Sequence, residues 1–259
     1  MKFPTISLRH HQPLYILSLV FWVIAGCSTT PTDEYASVAT EKMYAEAKEQ
    51  LETGNYESAI KILDRVEGRA TGTLLSQQAT LDIAFARYKN GERPEALASL
   101  DRFIKQHPSS PALDYAYYLK GIVNFNDNLG LLYSSAQQDP AERDPQASKD
   151  ALLAFSQLVK QFPQSKYAPD AKIRMDYITN TLARYEVKVA EFYFKREAFL
   201  AAANRAQKAV ADYQGAPATK DALQLMIKCY DKLGLSDLRD DAQRVLNKNF
   251  PPEKQSSTR

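Results

Sequence analysis

The chain has 259 residues, with 33 basic and 31 acidic side chains. Residues 1–26 contain Lys2, Arg9 and no acidic residue, so the chain that follows them carries equal numbers of both charges. A neutral chain without a run of Lys or Arg lacks the charge that binding to phosphate backbones requires, which excludes nucleic acid as a partner. Ala, Leu, Lys, Gln and Glu dominate and Gly is scarce, so the composition predicts an all-α protein.

Residues 1–26 are predicted to be a lipoprotein signal peptide. The apolar run 14–25 is too short to span a bilayer as a helix, and it ends in the small pair Ala25-Gly26 directly before Cys27. Cys27 is therefore the predicted lipidation site, where three acyl chains would hold the protein permanently at a membrane. Ser28 follows the cysteine where an Asp would favour the inner membrane, which indicates the periplasmic face of the outer membrane. The alternatives are a plain signal peptide with a chance cysteine, or a short membrane anchor retained whole.

Residues 27–36 are polar with a proline and predict a flexible lipidated tether. Helical repeats should then fill residues 37–168. The segments Gly54-Asn55-Tyr56-Glu57-Ser58-Ala59-Ile60 and Gly91-Glu92-Arg93-Pro94-Glu95-Ala96-Leu97 match each other, with Gly at a turn and Ala where two helices cross. They resemble tetratricopeptide repeats. About five such helix–turn–helix units predict a right-handed solenoid.

The third unit should begin at Pro111 and contain an insertion at 126–146. Asp144-Pro145 predicts the restart of the helix, with Asp as N-cap and Pro at the first helical position. Ala151 should be the crossing residue of the second helix. An insertion of this length is either a binding loop or a disordered spacer, and its leucines favour partial docking on the solenoid.

The C-terminal repeats are predicted over residues 169–250, beginning with one long helix at 169–195. Its large apolar residues recur on one helical face: Ile173, Tyr177, Ile178, Leu182, Tyr185 and Val189. A partner helix at 198–213 should cross it at Ala202. Residues 251–259 should be disordered.

Four stretches of this sequence resemble the BamD family, also called ComL or YfiO, of lipoproteins in the outer-membrane β-barrel assembly machinery. The resemblance covers essentially the whole chain after the signal peptide. The stretches are Asp114-Tyr115-Ala116-Tyr117-Tyr118-Leu119-Lys120-Gly121, Arg143-Asp144-Pro145-Gln146, Phe162-Pro163-Gln164-Ser165-Lys166-Tyr167-Ala168-Pro169-Asp170-Ala171 and Tyr185-Glu186-Val187-Lys188-Val189-Ala190-Glu191-Phe192-Tyr193.

The resemblance implies a function in two halves. The N-terminal half would receive unfolded outer-membrane proteins through their C-terminal β-signal, and the C-terminal half would bind the barrel-proximal POTRA domain of BamA. Other lipoproteins of the complex are further expected partners. Arg205 matches the family's arginine at the BamA contact, and Arg196 is a second candidate; the alternative for Arg205 is an ordinary exposed arginine. Glu197 stands in a turn where the family has Gly, so the angle between the flanking helices should differ.

Tyr115, Tyr117 and Tyr118 are the candidates for a groove that takes the aromatic-rich ends of such substrates. Tyr115 and Tyr118 lie three residues apart and share a helical face, so these two are expected to pack inward.

An enzyme is not expected. His107 is the one histidine after the signal peptide, and the sequence shows no nucleophile–base pair, phosphate-binding loop or metal-ligand spacing. No cofactor or metal is therefore predicted. The alternative function is a periplasmic repeat scaffold that organises other envelope or division proteins, and binding to BamA would discriminate between the two.

Overall fold

A computed structural model describes residues 34–125 and 145–251 of the chain. Over these residues the chain forms ten α-helices and no strand. The helices are α1 Glu34–Glu52, α2 Tyr56–Arg69, α3 Leu74–Lys89, α4 Arg93–Gln106, α5 Leu113–Asn124, α6 Gln146–Gln161, α7 Ala168–Phe194, α8 Phe199–Asp212, α9 Thr219–Lys232 and α10 Ser236–Asn249. None of them is both long and apolar enough to span a membrane.

Consecutive helices pack against each other, so the ten helices form five helix–turn–helix units. This confirms the predicted all-α solenoid of tetratricopeptide-like repeats. Among the described residues, the first helices of neighbouring units also contact each other, α3 with α5 and α7 with α9, more extensively than any second helices do. The stack therefore curves towards its first helices, which line the inner face.

Small residues lie where the helices cross, as the sequence predicts. Ala59, Ala96, Ala151 and Ala202 are fully buried. The last unit differs, because Arg239 stands at the corresponding place and the buried alanine of α10 is Ala242, three residues later. Leu63, Leu100 and Phe103 fill the wider spaces beside them and are also fully buried. Two helices approach closely only where no bulky side chain separates their backbones.

The approach is closest between α5 and α6. A Cβ atom on Gly121 would overlap the ring of Phe155, which is fully buried in the facing helix. Only glycine fits this position, because the ring occupies the space that any other side chain would need.

Two predicted boundaries differ from the structure. Helix α1 begins at Glu34, so the last residues of the predicted tether 27–36 are already helical. Helix α6 begins at Gln146, and Pro145 precedes its first residue instead of occupying it. The predicted N-cap Asp144, residues 126–144 of the predicted insertion, residues 252–259 of the predicted tail, and the signal peptide with Cys27 all lie outside the described residues.

The predicted buried face of α7 is partly wrong. Ile178 and Leu182 are buried, but Ile173 and Tyr177 are 70% and 44% exposed. Helix α7 contacts α6, α8 and α9, and these neighbours approach it at small residues such as Ala171. At about 100° per residue, Ile173 and Tyr177 lie at least about 80° around the helix from the other four large residues, so the six do not form one face.

The turn between α7 and α8 keeps the geometry that glycine gives elsewhere in the chain. Glu197 has a φ of 59°, in the left-handed region, where the corresponding residue between α9 and α10 is Gly234 with a φ of 70°. The backbone N–H of Ala198 donates to the carbonyl oxygen of Tyr193 at 3.1 Å, which closes the helix end as Leu235 does on Tyr230 at 2.9 Å. Glu197 therefore adopts the left-handed conformation that it was expected to resist.

Replacing Glu197 with glycine should stabilise the protein. A left-handed conformation costs a non-glycine residue about 1–2 kcal/mol, and glycine loses part of that gain through its greater freedom in the unfolded chain, so Glu197→Gly should raise the free energy of unfolding by about 0.5–1 kcal/mol. Chemical denaturation followed by circular dichroism measures this. The matched control is Glu191→Gly inside α7, which should destabilise by about 1 kcal/mol; destabilisation by both variants would contradict the assigned strain.

Candidate docking surfaces

Three tyrosines meet on the inner face, where α5 packs beside the start of α7. The rings of Tyr118 and Tyr167 are stacked with centroids 4.7 Å apart, and the ring of Tyr115 lies 5.5 Å from that of Tyr167. All three side chains are half-buried. We call Tyr115, Tyr118 and Tyr167 the inner tyrosine cluster. It presents ring surface and hydroxyl groups on the concave side of the solenoid.

An acidic residue orients this cluster. The Tyr118 hydroxyl donates to Oδ2 of Asp170 at 2.8 Å, and Nε of Arg174 donates to the same oxygen at 2.6 Å. The Arg174 guanidinium also lies over the ring of Phe125, 5.1 Å from its centroid. Burial and then the Asp170 hydrogen bond raise the pKa of Tyr118 to about 12, and burial also raises the pKa of Tyr115. Both phenols therefore stay protonated at neutral pH and act as hydrogen-bond donors.

Tyr117 lies on a different surface from the other two candidates. Its ring packs 6.5 Å from that of Phe162. It lines a groove of about 550 Å³ between α4, α5 and α6, together with residues that include Leu97, Asp101 and Leu153. Successive helical residues are about 100° apart, so a residue between positions 115 and 118 cannot share their face. The structure thus brings Tyr115 and Tyr118 together and separates Tyr117 from them.

In the C-terminal half, Arg205 of α8 forms an ion pair with Glu186 of α7. Nη1 of Arg205 donates to Oε2 of Glu186 at 3.0 Å. The Glu186 side chain is only 3% exposed, whereas the Arg205 side chain is 42% exposed. Arg205 is therefore anchored at the surface by a carboxylate from the interior of its own chain.

Two further polar side chains lie near this pair. Burial and then the negative charge of Glu186 raise the pKa of Tyr213. Lys208, one turn after Arg205, is paired with Asp212, whose hydrogen bond is the main reason that the Lys208 pKa is raised. The negative charge of Glu186 therefore contributes to the raised pKa values of both Tyr213 and Lys208.

Arg196 lies in the α7–α8 turn, apart from the Glu186–Arg205 pair. Its guanidinium stacks over the ring of Phe192, 3.5 Å from the centroid, and the Phe192 side chain is 50% exposed. Phe192 also lines a shallow groove of about 540 Å³ along the end of α7, with Tyr185, Val189 and Lys188 among its other walls. The two candidate arginines are therefore held in different ways. Arg196 lies over the Phe192 ring, and Arg205 is paired with the buried carboxylate of Glu186.

Sequence reasoning missed the two carboxylates that hold these surfaces, Asp170 and Glu186. Both lie in the stretches that carry the family resemblance. Glu186 falls four residues after Leu182 and four before Ala190, so it is a charged residue on an otherwise buried stripe. A charge in that position indicates a partner on a facing helix, and this signal is visible without the structure.

Comparison with known proteins gives the family. The family model "YfiO: Outer membrane lipoprotein" matches residues 36–245. The outer membrane protein assembly factor BamD of Neisseria meningitidis serogroup A is 42% identical over 233 residues, covering 88% of this chain and 87% of that protein. The chain belongs to the BamD (YfiO) family.

More distant members agree with this assignment to the BamD family. BamD of Vibrio cholerae is 32% identical and spans 96% of this chain and 99% of its own, and BamD of Haemophilus influenzae is 35% identical over 93% and 92%. Among solved structures, a putative kinesin light chain of Podosopora anserina with nearly identical TPR-like repeats matches 83% of this chain and 98% of its own, at 14% identity and a TM-score of 0.38. Family membership associates this chain with the outer membrane.

The carboxylate of Asp170 should stabilise the inner tyrosine cluster only above acidic pH. Burial alone would raise its pKa, but the hydrogen bonds from Arg174 and Tyr118 outweigh burial and lower the pKa overall. The stabilisation is thus complete above the unfolded-state pKa of about 4 and is lost as pH falls through the lower folded-state value.

Asp170→Asn should therefore destabilise the protein at pH 7, and the difference from the native protein should shrink as pH falls below about 4. Because the Asp170 side chain is 45% exposed, solvent screening keeps the effect at or below about 1 kcal/mol. Urea denaturation at several pH values measures it. Asp176→Asn, an exposed site on the same helix, is the control and should change little; a difference that stays constant with pH would refute the assignment.

Proposed function

We propose that this chain, an outer membrane protein assembly factor like its relatives, is a lipid-anchored adaptor with two binding surfaces. Its C-terminal half binds the POTRA domain of BamA, and its inner face holds the end of an unfolded outer-membrane β-barrel protein. Other lipoproteins of the complex are further partners. The adaptor works by binding alone, without covalent chemistry or a cofactor. The alternative, a scaffold for other envelope proteins, is not favoured, because the relatives are assembly factors.

The proposal that the C-terminal half binds BamA rests on the exposure and the ion pair of Arg205. A surface arginine is a strong interface anchor when its planar group can pair with a carboxylate through two parallel hydrogen bonds. Arg205 is close to half exposed, and its ion pair with buried Glu186 uses Nη1. The other nitrogen atoms of the guanidinium are available to a partner. Arg196, held over Phe192 at the end of the neighbouring helix, would contribute to the same docking.

The inner tyrosine cluster supports the substrate proposal. Stacked, half-buried rings offer flat apolar surface to an aromatic side chain. The Tyr118 hydroxyl donates its one hydrogen to Asp170, so the donor offered to a carbonyl group of an extended chain is the hydroxyl of Tyr115. Asp170 keeps the Tyr118 ring in place, so little ordering is needed on binding. An extended peptide with aromatic residues at its end fits this chemistry.

The lipid proposal places the solenoid close to the membrane, on its periplasmic face. If Cys27 carries the lipid, only residues 28–33 separate it from the start of α1 at Glu34. A fully extended segment of that length spans at most about 20 Å. The start of α1 would then stay within that distance of the bilayer surface, and the solenoid would extend from there.

The substrate surface is tested with a synthetic peptide that ends in the last strand of an outer-membrane β-barrel protein. Tyr115→Leu and Tyr118→Leu should each weaken its binding about two- to tenfold, because a leucine cannot replace an aromatic contact of this kind. Tyr117→Leu, on the same helix but another face, is the matched control and should bind normally. Fluorescence anisotropy measures the affinity; an equal loss in the Tyr117 variant would move the substrate site to the α4–α6 groove.

The BamA surface requires a charge-balanced variant. Arg205→Glu would place a second carboxylate against buried Glu186 and destabilise the protein whether or not Arg205 meets BamA. The double variant Glu186→Gln/Arg205→Gln removes both charges and leaves no buried ion unpaired. It should keep its helicity and melting temperature but bind the BamA POTRA domains about 30-fold more weakly, as expected for an interface hot spot.

Biolayer interferometry with the full lipoprotein in mild detergent measures this affinity. Lys208→Gln, one turn further along α8 and 43% exposed, is the control and should bind like the native protein. Native affinity in the double variant would show that Arg205 is not an anchor. Binding by no form of the protein, native included, would favour the scaffold alternative.

A further inference from the structure

The charge of Glu186 is unusual in its surroundings. The residue lies on the buried stripe of α7 between Leu182 and Ala190, and only 3% of its side chain is exposed. The polar groups near its carboxylate are those of Arg205, Lys208 and Tyr213. A carboxylate in such a place is costly unless it is paired, and a glutamine or leucine would fill the same volume without that cost. Fold stability alone therefore does not account for a charge at this position.

The charge of Glu186 affects its ion-pair partner, Arg205. A free surface arginine has many accessible rotamers, and part of this freedom is lost whenever it binds. The 3.0 Å bond from Nη1 to Oε2 of Glu186 restricts Arg205 before any partner arrives. The guanidinium is a rigid planar group, so fixing one of its nitrogen atoms also restricts where the others point.

We propose that Glu186 is a positioning residue for partner binding: its buried carboxylate holds Arg205 in the orientation in which the outer edge of the guanidinium receives a carboxylate from the docking domain. This inference rests on the proposed docking of Arg205. It assigns to Glu186 a function in recognition, although Glu186 itself is buried and touches no partner. It also makes an acidic group on the partner the feature that the site selects.

A second effect of Glu186 opposes the first. Its negative charge cancels part of the charge of Arg205 and so weakens the attraction to an incoming carboxylate. That attraction acts at the protein surface, where water and salt screen it. Positioning acts through the geometry of Arg205 and is not screened. At moderate salt, positioning should therefore exceed charge cancellation, and the two effects predict opposite results for a neutral variant.

Glu186→Gln provides the test, measured with the BamA POTRA domains and the full lipoprotein as above. The glutamine keeps the shape and removes the charge that holds Arg205, so binding at moderate salt should weaken about two- to tenfold, the range expected for ordering one long side chain. The same substitution in the Arg205→Gln background should cause no further loss. A purely structural role for Glu186 would weaken binding equally in both backgrounds.

Glu186→Asp keeps the charge but is one methylene shorter, so its carboxylate cannot occupy the place from which Glu186 Oε2 holds Arg205 at 3.0 Å. It should weaken binding as the glutamine does, and it replaces the Arg205→Gln comparison if that variant does not fold. Unchanged or tighter binding by Glu186→Gln, while the double variant Glu186→Gln/Arg205→Gln loses binding, would overturn the positioning role and leave Arg205 as an anchor. Native binding by the double variant would instead overturn the docking proposal itself.

Discussion

Close approach of paired helices at small residues is the constraint on which this structure depends. The first four repeats each have a fully buried alanine at the helix crossing, and α5 and α6 approach so closely at Gly121 that the Phe155 ring takes the place of a side chain. Because each unit contacts mainly its sequence neighbours, the fold is a one-dimensional stack. The inner and outer faces follow from this stacking, and the candidate docking surfaces lie on those faces.

Much of the fold is predictable because its determinants are local. The recurrence of Gly and Ala locates turns and crossings, and both are properties of short stretches of sequence. The left-handed Glu197 is different, since its conformation opposes the local preference and is imposed by the packing of α7 on α8. The exposure of Ile173 and Tyr177 has a local explanation, because at about 100° per residue they lie on a different side of α7 from buried Ile178 and Leu182.

The candidate sites were less predictable, for a related reason. Helical spacing alone separates Tyr117 from Tyr115 and Tyr118, so that division follows from the sequence. The bonds that hold each surface join residues far apart in the chain, such as Tyr118 to Asp170 across the insertion. The sequence shows a charged residue on a buried stripe of α7, but it does not show which residue pairs with it. Glu186 could have been singled out, whereas its pairing with Arg205 required the structure.

Helix α7 connects the two surfaces physically. It has 27 residues, with its one proline in the first turn, and it carries Asp170 near its start and Glu186 in its second half. At about 1.5 Å per residue these two carboxylates lie about 24 Å apart along a helix with no internal break. The proposed substrate and partner surfaces are thus held at a fixed separation, which would suit the proposed adaptor that presents a chain end to a docked partner.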